Sequence, residues 1–164
     1  MKRRKFKAYL SGGMEYAANE GADWRIEIEE WLRNELGHAV FNPNKESEEF
    51  LRVHFPDGDI RSLKFEDVSR FSKLLQGVVD LDTKEIAKNS DYVICYWDQA
   101  AQKGAGTKGE ITMAKYFQKP VYLVTEMNHV EIPGWILGCT TVFFPSFDEL
   151  KKFLIKTYPK SKQK

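Results

Sequence analysis

Acid chemistry in this chain centres on Glu110 and the stretch that leads to it. Asn89-Ser90-Asp91-Tyr92-Val93-Ile94-Cys95-Tyr96-Trp97-Asp98 is followed by Gly104-Ala105-Gly106-Thr107-Lys108-Gly109-Glu110. The run Tyr92 to Tyr96 has the length and the β-branched and aromatic content of a buried parallel strand, and Gly106-Thr107 lets the chain turn tightly into a helix. This spacing predicts Glu110 in the first turn of that helix. Ligands of an open parallel sheet bind just beyond the carboxyl ends of its strands, so the loop and Glu110 are expected to face a cleft. Trp97, Asp98, Gly106 and Thr107 share that loop and give the cleft several polar groups. The carboxylate also has a purely structural use, because Thr107-x-x-Glu110 has the spacing of a reciprocal helix cap and a first-turn acid complements the helix dipole.

The elements that must position these groups alternate. Phe6 to Leu10 reads as a first strand, and Ser11-Gly12-Gly13 then offers unhindered backbone N–H groups at its carboxyl end, a place for an anion or a sugar; the same glycines also simply permit a turn. Met14 to Ala22 is longer than a minimal connection, the kind of loop that sets specificity. Asp23 is expected to cap an amphipathic helix from Trp24 to about Leu36 that stops at Gly37. His38 to Phe41 is a second strand, ending in Asn42-Pro43-Asn44. The region from Lys45 to Gln76 shows mixed charge without clear periodicity and reads as an insertion. A helix over about Leu81 to Ala87 precedes the strand at Tyr92. Val121 to Val124 and Thr141 to Phe144 are further strands, and Ser146 caps a last amphipathic helix from Phe147 to about Tyr158. Alternation at these lengths predicts an α/β, three-layer, doubly wound (Rossmann/flavodoxin-like) sheet of about five parallel strands in a single domain over 1–164.

Composition narrows the function classes. In 164 residues, 42% hydrophobic and 13% aromatic, there is material for one globular core. Lys and Arg number 25 against 24 Asp and Glu, so no global field points to nucleic acid or an anionic membrane. Lys2 to Lys5 and Lys156 to Lys164 read as solvated basic tails. Cys95 and Cys139 lack any metal-ligand or redox spacing and read as buried, reduced thiols. No apolar run approaches the roughly 18 residues of a membrane helix, and no leader is evident, so a cytoplasmic protein is expected.

Three motifs in order carry a resemblance: Tyr9-Leu10-Ser11-Gly12-Gly13-Met14, then Ser90-Asp91 opening a strand, then Gly106-Thr107-x-x-Glu110 with its following helix and Lys119-Pro120-Val121. Together they resemble the nucleoside 2-deoxyribosyltransferase family, over about Tyr9 to Pro145. The resemblance implies cleavage or transfer at the N-glycosidic bond of a nucleoside or nucleotide, with Glu110 as nucleophile. It also implies that Tyr9 reaches the Glu110 carboxylate, that Ser11, Gly12, Gly13 and Met14 line the sugar pocket, and that Asn44 approaches the base. Asp91, or else Asp98, is the candidate to protonate the leaving base. At Gly104 the chain departs from the family, which carries an aspartate there. No cofactor and no metal are implied; the partners are a small-molecule nucleoside or nucleotide and further copies of the chain, in a dimer or larger homo-oligomer.

Other readings compete. A nucleoside 5'-monophosphate N-glycosidase would use Ser11 and the backbone at Gly12 and Gly13 for phosphate. A non-catalytic nucleotide-binding sensor is open to any fold of this kind. Gly104-x-Gly106-x-x-Gly109 has the spacing of a dinucleotide fingerprint, but about seven residues separate it from its strand, where that fingerprint turns directly out of the first strand. His54, Asp57 and Asp59 lack the spacing of a calcium loop.

Overall fold

The computed structural model describes residues 5–56 and 58–158. Five strands, β1 (Lys7–Gly12), β2 (Ala39–Phe41), β3 (Tyr92–Tyr96), β4 (Val121–Val124) and β5 (Val142–Phe144), form one sheet in the order β2-β1-β3-β4-β5. All pairings are parallel, and β1 meets β3 in the register Tyr9↔Val93, Ser11↔Cys95 and Gly12↔Tyr96. The predicted doubly wound α/β sheet of five strands is therefore the fold. The chain direction of strand addition reverses between β1 and β3, and the crevice of such sheets lies there, outside the strands' carboxyl ends.

Helices cover both faces, which is why the strands read as continuous apolar runs and not as alternating ones. Tyr9, Val93, Cys95, Trp97 and Leu123 point to one face, where Ile111, Ala114 and Ile136 pack on them. Ala8, Leu10, Ile94 and Val124 point to the other, against Ile28, Leu32, Leu150 and Leu154. The helices supplying these contacts are α1 (Ala22–Trp31), α6 (Gly106–Tyr116), α7 (Gly134–Cys139) and α8 (Phe147–Thr157), with α5 (Gln99–Lys103) just after β3. Cys95 and Cys139 are free and buried, as their spacing suggested.

Two helix readings change. The first helix begins at Ala22 behind Gly21 and not behind Asp23, which instead lies in its first turn and accepts from the Asn19 side chain at 2.8 Å. It closes through a π-helical turn, Leu32–Leu36, onto Gly37 at φ 68°. The stretch that showed no periodicity is also helical: α2 (Pro43–His54), α3 (Ile60–Glu66) and α4 (Val68–Lys84), the last continued by a π turn, Glu85–Asn89. The helix expected from Leu81 is only the end of α4. Its start escaped detection because α2 to α4 bury few residues outright, Pro43, Leu63 and Val78 among them, so most of their surface is polar. Among the described residues, no helix is long and apolar enough to cross a membrane.

Candidate active site

Strand alternation puts Tyr9 and Ser11 on the α6 side of β1, and α6 returns Glu110 to them. The Tyr9 hydroxyl donates to Glu110 Oε1 at 2.9 Å, and the Ser11 hydroxyl donates to Oε2. Tyr9 and Ser11 are fully buried, while Glu110 keeps a partly open surface. The helical cap reading of Glu110 is thereby replaced. Helix α6 starts at Gly106 with Ala105 before it and no side-chain cap, so Glu110 lies past the first turn with both carboxylate oxygens committed to β1. Thr107 is buried on the same helix.

A second carboxyl group, which the motifs did not reveal, approaches from α4. Asp82 Oδ1 is buried without a hydrogen-bond partner. Burial first, and then the Glu110 charge, push the Asp82 carboxyl up to about 8, against the Tyr9 hydroxyl and the Arg25 charge. Burial also raises Glu110, but the Ser11 and Tyr9 hydroxyls and the Arg25 charge oppose it. Burial thus raises both carboxyls, and the Glu110 charge adds to the rise at Asp82. Tyr9 stays a donor, because burial and Glu110 hold its hydroxyl well above its ordinary value. A signal for Asp82 existed in the sequence: Phe71, Leu74, Val78, Leu81 and Glu85 recur at helical spacing, and Asp82 falls on that same partly buried stripe of α4.

The remaining predicted residues divide. Asp91 stands just before the amino end of β3, where its Oδ2 accepts from the Lys7 backbone N–H at 2.8 Å; the parallel register puts it at the far end of β1 from Ser11, so Asp91 is not brought to Glu110. Trp97 is a core residue, fully buried, with its ring N–H toward Gln102 Oε1 at 3.3 Å. Asp98 caps α5, accepting from the Ala101 N–H at 2.8 Å. Gly12 and Gly13 have a packing reason: a methyl at Gly12 would lie 2.8 Å from the Trp24 ring, and one at Gly13 2.7 Å from both Ala100 Cβ and Ala101 N. The half-exposed Met14 starts the connecting turn, its carbonyl accepting from the Ala17 N–H at 3.1 Å. Asn44 donates its side-chain amide to the Glu20 carbonyl at 2.9 Å, which ties α2 to the loop after β1. Gly106 begins α6 with open space around it.

An open cavity of about 310 Å³ lies on the other side of the strand ends, lined by Tyr16, Asp23, Trp24, Tyr96 and Asp98 among others. Trp24 and Tyr96 belong to the α1 face, whereas Tyr9 and Ser11 serve the α6 face, so this cavity and the Glu110 carboxylate lie on different faces of the sheet. The dinucleotide spacing falls on separate elements, since Gly104 ends α5 and Gly109 is inside α6. His54 Nδ1 pairs with the Phe50 carbonyl at 2.8 Å and Asp59 caps α3; Asp57, and all of the basic tails but Lys5 and residues 156–158, lie outside the described residues. Among the described residues, no group of three His, Cys, Asp or Glu could hold a metal ion.

No family profile matches the chain, and no curated protein sequence matches it. Solved structures do. The 2-deoxyribosyltransferase of the psychrotolerant bacterium Bacillus psychrosaccharolyticus superposes with a TM-score of 0.61 at 17% identity, over 94% of this chain and 97% of that one. A CMP N-glycosidase of Clostridium botulinum aligns over 90% of this chain and 97% of its own at 18% identity, with a TM-score of 0.49. On the first of these likenesses, the chain has the fold of a nucleoside 2-deoxyribosyltransferase.

Proposed function

We propose that the protein cleaves or transfers at the N-glycosidic bond of a nucleoside or nucleotide, with Glu110 as nucleophile and Asp82 as the acid for the leaving base. The observation that carries this reading is the carboxylate pair. One member is held by two hydroxyl donors at the carboxyl end of β1; the other is buried, unpartnered at Oδ1 and protonated up to about pH 8. Two carboxyl groups in unlike surroundings can divide the roles of nucleophile and acid.

In the first step a Glu110 oxygen bonds to the anomeric carbon as the carbon–nitrogen bond breaks, and that electron pair leaves with the base nitrogen. The Asp82 proton neutralises the departing base, leaving Asp82 as carboxylate and the sugar as an ester of Glu110. In the second step Asp82 takes a proton from water or from an incoming base, which attacks the same carbon and releases Glu110. This is the double displacement of retaining glycoside chemistry. Tyr9 and Ser11 hold the carboxylate in one orientation, which saves the entropy of finding it. The fold shared with a 2-deoxyribosyltransferase agrees with this assignment and suggests deoxynucleosides as the first substrates to try.

The test is base release, followed by chromatography, from a panel of ribo- and deoxynucleosides, their 5'-monophosphates and NAD, with and without a free acceptor base. Release by the wild type that is lost in Glu110→Ala supports the reading, and its dependence on acceptor divides transferase from hydrolase. No release from any substrate by folded protein rejects it.

A further inference from the structure

Arg25, on α1, is 1% exposed, yet among the described residues no carboxylate forms an ion pair with it. Its donors go to backbone carbonyls instead. Nε faces the Leu10 carbonyl at 3.3 Å, Nη2 the Gly12 carbonyl at 2.8 Å, and Nη1 the carbonyls of Gly21, Glu20 and Gly13 at 2.9, 3.4 and 3.5 Å. One face of the guanidinium lies 4.6 Å from the Trp24 ring. A buried cation is costly unless its donors are satisfied and a compensating charge is near. The planar fork matches several acceptors at once, which an ammonium does not.

The carbonyls it gathers are not arbitrary. Those of Leu10 and Gly12 flank Ser11, the residue whose hydroxyl holds Glu110. Those of Glu20 and Gly21 come from three consecutive left-handed residues, Asn19, Glu20 and Gly21 at φ 47°, 52° and 67°. Two of these are not glycine, and such residues persist only where the surroundings hold them. Arg25 thus joins a strained turn to the end of β1, and its charge acts on both Glu110 and Asp82.

Resting on the function proposed above, we propose that Arg25 is a positioning residue for Glu110. Its guanidinium clamps the backbone on both sides of Ser11, so that the Ser11 hydroxyl stays aimed at Glu110, and it supplies the positive field under the carboxylate pair. It touches no substrate.

Two variants separate fork from charge. Arg25→Lys keeps the charge and loses the fork; Arg25→Gln keeps an amide donor and loses the charge, and with no cation left to bury it is the variant expected to fold. For each, kcat and KM for base release are measured with and without Ser11→Ala, and the Glu110 carboxyl is titrated by carbon-13 NMR with Glu110→Gln to assign its signal. The expected result is a kcat loss of tenfold or more in both, with KM within threefold. Ser11→Ala should then add less than twofold in an Arg25→Lys background, although it costs at least fivefold alone. In Arg25→Gln the Glu110 titration should move up by a pH unit or more. Additive losses with an unmoved titration overturn the proposal, as does a loss confined to KM. If the wild type releases no base, the proposed function fails while the titration still decides the role of Arg25: movement supports it and constancy overturns it.

Discussion

The Tyr9 phenol and the Glu110 carboxylate, 101 positions apart in sequence, meet in a 2.9 Å hydrogen bond that ties helix α6 to the middle of the sheet. Tyr9 also stacks on Phe41, with ring centroids 5.2 Å apart at 12°. Removing the hydroxyl alone therefore leaves the packing intact. A hydrogen bond to a charged group is worth about 1.5–3 kcal/mol. Tyr9→Phe should lower kcat about 10- to 150-fold, at 1.36 kcal/mol per factor of ten, with KM little changed. Steady-state kinetics of base release check it, and an unchanged kcat would remove Tyr9 from the machinery.

Glu110→Gln should abolish turnover without loss of stability. Burial disfavours the ionised form of Glu110, so a neutral amide of the same shape relieves that cost while keeping contact with Tyr9 and Ser11. The melting temperature at neutral pH should stay or rise. A matching readout is intact-protein mass after acid quench: the wild type should carry one added glycosyl mass during turnover, and the variant none.

On the proposed mechanism Asp82 should give the reaction an alkaline limit. The group must be protonated to act as the acid, and its carboxyl loses the proton at about 8, so the rate of base release should fall as pH rises through that value. Asp82→Asn should be slow at every pH and lose this limb. The same shift makes a stability statement. An Asp raised in the folded state contributes stability fully present below its unfolded value of about 3.9 and lost progressively toward about pH 8. Wild type minus Asp82→Asn, compared by urea denaturation across that window, should show the decline.

His38 works in the opposite direction. It is buried, its Nδ1 lies 2.7 Å from the Tyr92 hydroxyl, and desolvation lowers its pKa against the pull of Asp91. A His held neutral in the fold costs stability as pH falls below its unfolded value of about 6.5, where the unfolded chain gains a proton first. His38→Gln should lose less stability than wild type between pH 7 and pH 5. Equal losses in the two proteins would show that another group governs that limb.

Gly13→Ala tests the close contact between the loop after β1 and α5. The added methyl meets Ala100 Cβ and the Ala101 backbone nitrogen at 2.7 Å, and neither is the end of a flexible side chain. Overpacking of this kind costs about 1–3 kcal/mol. Thermal unfolding measures it, and an unchanged midpoint would mean that α5 moves away freely.

The contact of Tyr9 with Glu110 was legible through the family motifs, and the place of Tyr9 and Ser11 through the unmistakable apolar run of β1, whose direction fixes which end faces the crevice. The same rule counted against Asp91, at the start of β3, which only the family motif favoured. Asp82 was missed for a physical reason. It fell inside the short helix read over Leu81 to Ala87, but with the start of α4 lost in the stretch to Gln76 that showed no period, the face that carries Asp82 could not be traced back to the cleft. Gly12 and Gly13 were read as open N–H groups for a ligand because sequence cannot show that Trp24 and α5 press against them.

The sheet order also divides the labour between conserving a reaction and changing its substrate. Glu110 is moored to β1, which has a strand on each side, whereas Asp82 arrives on α4, a helix that stacks on α2 and α3 and presents much of its length to solvent. Changes in α2 to α4 can reshape the surroundings of Asp82 while the mooring of Glu110 stays fixed. A directed-evolution library aimed at new bases or sugars belongs in that helical layer, with β1 and the start of α6 left untouched.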